Sequence, residues 1–163
     1  MTDNIGRLIS FEIGSKNLKA TQEFYEKTFG WTFTEGLDGP GRPYGFANTP
    51  EGSAMPFGTA WDTHLTPDGT DIPDEYIAII IQVEDLKESC RLIEEAGGRI
   101  TVPPTTNEDR TADVAHFRDP RGVLVGLFSL NMSPDSAPNP NPIPDELLPT
   151  KPLPDFLLAQ RED

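Results

Sequence analysis

The chain has 163 residues, 36% hydrophobic and 25% charged, enough for one domain or for two small modules that share a core. Its net charge of −14 argues against nucleic acid and against an anionic membrane surface, since both are bound through basic patches. No apolar run approaches the length that spans a bilayer, and the single cysteine, Cys90, excludes an intrachain disulfide and a thiolate metal cluster.

The start of the chain, "MTDNIGRLIS", has no basic segment leading into a long apolar core, so the expected compartment is the cytoplasm. From residue 8 a strand-like run leads to Asn17-Leu18-Lys19, where Asn17 can cap a helix that ends near Gly30. Thr21, Phe24, Tyr25, Thr28 and Phe29 fall on one stripe at helical period and predict its core face. A short strand follows at 31–34, and Thr49–Gly52 reads as a hairpin turn.

The same sequence of signals recurs 68 residues later. "YIAIIIQV" is a strand, Asp85-Leu86-Lys87 starts a helix, and Leu86, Cys90, Ile93 and Gly97 form its stripe. Cys90 lies in that stripe and reads as a small buried apolar residue, not a reactive thiol. Gly97-Gly98 ends the helix, a strand begins at Arg99, and Asp119–Gly122 is the second hairpin turn. Each module is therefore predicted to be β-α-β-β-β, over about 6–57 and 76–130, joined by a polar linker at 58–75. Together they form an α+β domain over 1–130.

Residues 131–163 form a tail with eight of the 17 prolines. Proline at that density favours extended chain. Its Leu147, Leu148, Leu153, Phe156, Leu157 and Leu158 predict docking on the body or on a neighbouring subunit.

With the duplicated pattern, the stretches "FYEKTFGW", "VEDLKESCRLIEEAGGRI" and "FRDPRGVLVGLF" make the chain resemble the vicinal oxygen chelate superfamily of glyoxalase, bleomycin-resistance and extradiol-dioxygenase proteins. The resemblance covers roughly residues 6–130. It implies an open curved barrel of two modules around a cleft, and frequent homodimers. In metal-dependent relatives it implies four side chains, usually histidine, glutamate or glutamine, holding one divalent ion.

Spacing within that family places the four positions at Ser10, Pro56, Ala78 and Gly126. None is an imidazole or a carboxylate, so the sequence predicts no metal and no other cofactor. By strand alternation Glu12, Ile80, Gln82, Leu124 and Phe128 face the same cleft. Small residues at the ligand positions should then leave open volume lined by Ser10, Glu12, Pro56, Ala78, Ile80, Gln82, Leu124, Gly126 and Phe128, with Trp61 from the linker.

Glu12 reads either as an acid or base raised by burial against Phe128, or as a carboxylate at the cleft mouth. His116 faces in or out according to the hairpin register. His64, next to Trp61 and Asp62, is a base oriented by a carboxylate or a solvated residue.

The leading expectation is a metal-independent, cytoplasmic, homodimeric protein that binds a small apolar or aromatic molecule, as resistance members of the superfamily do. One alternative is a metal-independent isomerase or lyase that transfers protons through Glu12, His116 or His64. Another is a metal-dependent lyase or dioxygenase, which requires different strand registers. The last is an interaction module working through the acidic surface and the tail.

Overall fold

The computed structural model describes residues 5–35, 44–65, 69–106 and 112–137. The first module comprises β1 (Arg7–Ser15), α1 (Leu18–Phe29), β2 (Thr32–Glu35), β3 (Tyr44–Asn48) and β4 (Phe57–Asp62). The second repeats it with β5 (Tyr76–Gln82), α2 (Leu86–Glu95), β6 (Arg99–Thr106), β7 (Asp113–Arg118) and β8 (Leu124–Ser129). All eight strands join one open, curved sheet in the order β2-β3-β4-β1-β5-β8-β7-β6. The first strands of the two modules, β1 and β5, pair antiparallel at its centre. Each also pairs in parallel with the last strand of its own module.

Both helices start where the sequence places them. Asn17 Oδ1 accepts from Ala20 N at 3.1 Å, and Asp85 Oδ1 accepts from Glu88 N at 2.9 Å. Each cap satisfies an amide that the first helical turn leaves without an internal partner. Gly30 closes α1 with φ of 68°, a left-handed conformation that glycine adopts without strain.

The helices cover one face of the sheet. Under α1, Phe11, Ile13, Ala47 and Ala60 are buried with Leu18, Tyr25 and Trp31 against them. Under α2, Val83, Leu86, Cys90, Ala115 and Leu127 form the other core. Alternate residues of the same strands, Ser10, Glu12, Ile80, Gly126 and His116 among them, therefore lie on the helix-free face. That face is the inside of the curve.

The sequence reading needs correction in three places. First, β4 occupies most of the start of the segment 58–75 read as linker. Its Gly58 and Ala60 are small because Phe11 and the α1 core pack closely there, and a strand of small residues resembles a loop. Second, the α1 stripe is not a buried face: Phe24 and Phe29 are 56% and 55% exposed. Third, the two hairpins differ in length. Asp119 N donates to Val123 O, whereas in the first module Thr49 N donates to Pro56 O, a loop three residues longer.

After β8 the chain turns back along the edge of the sheet. Asp113 is fully buried, and its carboxylate accepts from Ser133 N at 2.8 Å, from Ser136 Oγ and from Thr106 Oγ1 at 3.2 Å. Ala137 then exchanges backbone bonds with Pro104 and Thr106 of the edge strand β6. The tail from 138 onwards, with its predicted docking, lies outside the described residues. Asp113→Ala should lower the unfolding free energy by about 2 kcal/mol, because three donors lose one buried acceptor. It should also remove hydrogen-exchange protection from the Thr106 and Ala137 amides; unchanged protection would show that Asp113 does not hold this segment.

Candidate functional site

Strand register brings the inward residues into rows. One row runs Ser10, Ile80, Gly126, His116, and the next runs Phe46, Thr59, Glu12, Ala78. A third places Trp61 and Tyr76 on either side of Gly14, and a fourth aligns Gln82, Phe128 and Val114. Leu124 pairs with Arg118 on the same face. All the ligand-binding candidates except Pro56 thus share one face. Pro56 stands ahead of β4, at the closing pair of its hairpin. Because that hairpin is longer, the counterpart of Gly126 is Thr59: Thr59 pairs with Glu12 as Gly126 pairs with Ile80.

The chemistry of the face gathers at Glu12. His116 Nε2 lies 2.6 Å from Glu12 Oε1, and Tyr76 Oη donates to the same oxygen at 2.5 Å. Trp61 Nε1 donates to Tyr76 Oη at 2.7 Å. β1 and β7 are separated in the sheet by β5 and β8, so two side chains must meet above the strands between them. The curvature of the sheet and the small residues Ala78 and Gly126 on those strands allow it.

Two glycines are required by this cluster. A methyl group at Gly14 would overlap the Tyr76 ring, and one at Gly126 would overlap Ile80 Cδ1 and approach His116 Nε2 at 3.6 Å. The room at Gly126 is therefore taken by Ile80, with His116 alongside, and not left as the open volume the sequence suggested.

Burial alone would raise Glu12 and lower His116, because each charged form loses water. The attraction between them and their hydrogen bond, with the Tyr76 bond, outweigh that. Glu12 is held below the usual carboxylate value and His116 above its ordinary 6.5. This reverses the raised carboxyl expected from contact with Phe128. Burial and the Glu12 charge push the Tyr76 phenol far above its usual range, so it stays a neutral donor.

Glu12 is thus an ionised carboxylate whose Oε1 takes both bonds, while Oε2 has no partner among the described residues. His116 Nδ1 and Gln82 Oε1 are buried without a partner among the described residues.

The remaining candidates lie elsewhere or are inert. His64 sits in a 3-10 turn after β4, 67% exposed, its Nδ1 3.0 Å from Asp62 Oδ1, and among the described residues no hydrogen bond joins it to the Glu12 cluster. Burial, aided by the nearby Glu94, pushes the Cys90 thiol up to about 11, consistent with an inert core residue. A groove of about 570 Å³ lies beside α1, lined by Ile13, Ser15, Thr21, Phe24, Tyr25 and Ile77 among others; of the Glu12 cluster it touches Tyr76 alone.

Tyr76 and Thr59 are the site residues the sequence reading missed. Extending the alternation of Gln82, Ile80 and Ala78 by one more step finds Tyr76. Counting from the end of the hairpin, not from its glycine, finds Thr59.

The four positions that the resemblance assigns to an ion, with Thr59 in place of Pro56 by register, carry two hydroxyls, a methyl group and no side chain at all: Ser10, Thr59, Ala78 and Gly126. That donor set does not fit a divalent cation. Glu12 and His116, the nearest stronger donors, bind each other. Among the described residues no group of three or more His, Cys, Asp or Glu converges.

The paired β-α-β-β-β modules, with the site inside their shared curve, define the class of fold. The chain belongs to the Glyoxalase/Bleomycin resistance protein/Dioxygenase superfamily, whose model matches residues 7–127. Among solved structures it is similar to a hypothetical protein of Bacillus halodurans C-125, with 19% identity, 80% of this chain and 99% of that one covered, and a TM-score of 0.51. It is also similar to methylmalonyl-CoA epimerase from Mycobacterium tuberculosis, with 18% identity, 79% and 91% covered, and a TM-score of 0.50. At these identities the likeness is one of fold. No curated protein matches. Among the described residues no helix is long and apolar enough to cross a membrane.

The cluster's electrostatics and its packing can each be tested. In an NMR titration His116 should change charge above 6.5; in Glu12→Gln it should do so below 6.5, since burial then acts unopposed. The pair's contribution to stability should be fullest between the ordinary values of 4.5 and 6.5. It is lost as pH falls through the lowered Glu12 midpoint or rises through the raised His116 midpoint. Gly126→Ala should cost about 1–3 kcal/mol by overpacking, measured by denaturant unfolding, and adding Ile80→Val should recover most of the loss by removing Cδ1.

Proposed function

We propose that this protein is a metal-independent member of its superfamily that takes a small apolar or aromatic molecule on the inner face of the sheet and moves a proton on it through Glu12 and His116. The observation that carries the reading is the 2.6 Å contact between a largely buried carboxylate and a buried imidazole. The arrangement has a proton acceptor in Glu12 Oε2 and a proton donor in the imidazolium. A proton taken from one atom of the ligand by Glu12, and one returned to another by His116, amounts to an isomerisation, and exchange with solvent then restores the carboxylate and the imidazolium. Loss of a leaving group instead makes the reaction a lyase.

The surrounding Ala78, Ile80, Leu124 and Phe128 supply an apolar wall. The donor set at Ser10, Thr59, Ala78 and Gly126 gives no support to a metal-dependent lyase or dioxygenase. The exposed Leu8, Ile77 and Ile79, side by side on the outer face of β1 and β5, support a homodimer.

A second reading keeps the binding and drops the chemistry. The specific support for it is that Glu12 and His116 neutralise each other, leaving a wall with no net charge. The two readings separate by solvent exchange. A panel of small aryl ketones, hydroxyketones and keto acids in D2O is followed by NMR for binding and by mass spectrometry for deuterium uptake. The proposal predicts protein-dependent uptake into at least one bound compound, reduced about 100-fold in Glu12→Gln while binding persists. Binding without protein-dependent uptake leaves only the carrier reading, uptake that Glu12→Gln does not reduce contradicts the role of Glu12, and absence of binding across the panel contradicts both readings.

A further inference from the structure

We propose that Trp61 and Tyr76 are positioning residues that confine any proton gained by Glu12 to its Oε2 atom. This rests on the proton-transfer reading for its use, but its basis is the direction of the hydrogen bonds. An indole N–H can only donate. Trp61 Nε1 donates to Tyr76 Oη, so that oxygen is an acceptor on the Trp61 side and its own proton is directed to Glu12 Oε1. Oε1 already receives one proton from Tyr76 and faces His116 Nε2 at 2.6 Å. It has neither the space nor the need for a covalent proton of its own. Oε2 carries no bond among the described residues and stays in reach of solvent or ligand.

The path of a proton is then fixed. When Glu12 takes a proton from a C–H or O–H bond of a ligand, the new O–H bond forms at Oε2. The electron pair of the broken bond stays on the ligand, and the carboxylate becomes neutral. Tyr76 and His116 remain where they were, bonded to Oε1. Gly14 contributes by leaving room for the Tyr76 ring to lie across β1. Trp61, on β4, contributes a donor whose direction cannot reverse.

The groups facing Glu12 from its neighbours are few. β5 presents Tyr76 and Ala78, β7 presents His116, and β4 presents Thr59 and Trp61, which carry no charge. Among the described residues, Tyr76 and His116 are therefore the titratable groups that act on the Glu12 midpoint. Removing the Tyr76 hydroxyl takes away a donor that favours the ionised carboxylate.

The test uses Tyr76→Phe and Trp61→Phe in the full chain, with the Glu12 carboxyl and the His116 ring followed by NMR against pH. The expected result is an upward shift of the Glu12 midpoint in Tyr76→Phe and a smaller upward shift in Trp61→Phe, where Tyr76 still donates. A purely structural role would lower the melting temperature without moving either midpoint, and that result overturns the proposal. So does an equal shift in both variants, because it would mean that the tyrosine acts only by way of packing. Should Tyr76→Phe not fold, Trp61→Phe decides alone: a shifted Glu12 midpoint supports the relay, and an unshifted one overturns it. Deuterium uptake by a bound ketone is read separately. Its absence with the midpoints shifted refutes proton transfer on that ligand and leaves the relay standing.

Discussion

A carboxylate cannot be buried alone. Glu12 sits in the middle of the inner face, and withdrawing its charge from water must be offset by partners with good geometry. Most of what is unusual about this face follows from that constraint. His116 crosses the width of two strands to reach it. Tyr76 leans over Gly14 to reach it, and Trp61 orients Tyr76. The small residues Ala78 and Gly126 stand where larger side chains would keep the partners apart.

The duplication shows how the site was assembled. The two modules present equivalent rows, Phe46-Thr59-Glu12 in the first and His116-Gly126-Ile80 in the second, related by the antiparallel pairing of β1 and β5. The acid comes from one row and the base from the other, with Ile80 and Phe46 at the mirrored places. A symmetric pair of modules has therefore become an asymmetric site. The inner position on β8 that could hold a metal-binding carboxylate is a glycine. The space goes to the Ile80 methyl group and the histidine ring.

Much of the fold was legible in the sequence because the repeat is strong. Caps, strand alternation and the turn glycines fell in the same order twice, and the inner positions Ser10, Ala78 and Gly126 followed by counting. The fourth position was lost because the first hairpin has three more residues before it closes, and no local residue type records that. The α1 stripe misled because an amphipathic pattern shows which residues could be buried, and here Phe24 and Phe29 are left outside. His116 could not be oriented from sequence, since a one-residue change in hairpin register reverses a strand's faces. The Glu12–His116 contact lies between residues 104 apart in the chain. Its depressed carboxyl was beyond any local pattern, which registers burial before it registers the partner.

The chemistry of the site turns on where the protons are in the Glu12 cluster. Neutron diffraction from deuterium-exchanged crystals grown between pH 5 and 6, roughly between the ordinary carboxylate and imidazole values, reads this directly. The predicted map has deuterium on both nitrogens of His116, the Tyr76 hydroxyl deuteron directed at Glu12 Oε1, and none bound to Glu12. Deuterium on Glu12 Oε1, or a bare His116 Nε2, would contradict it.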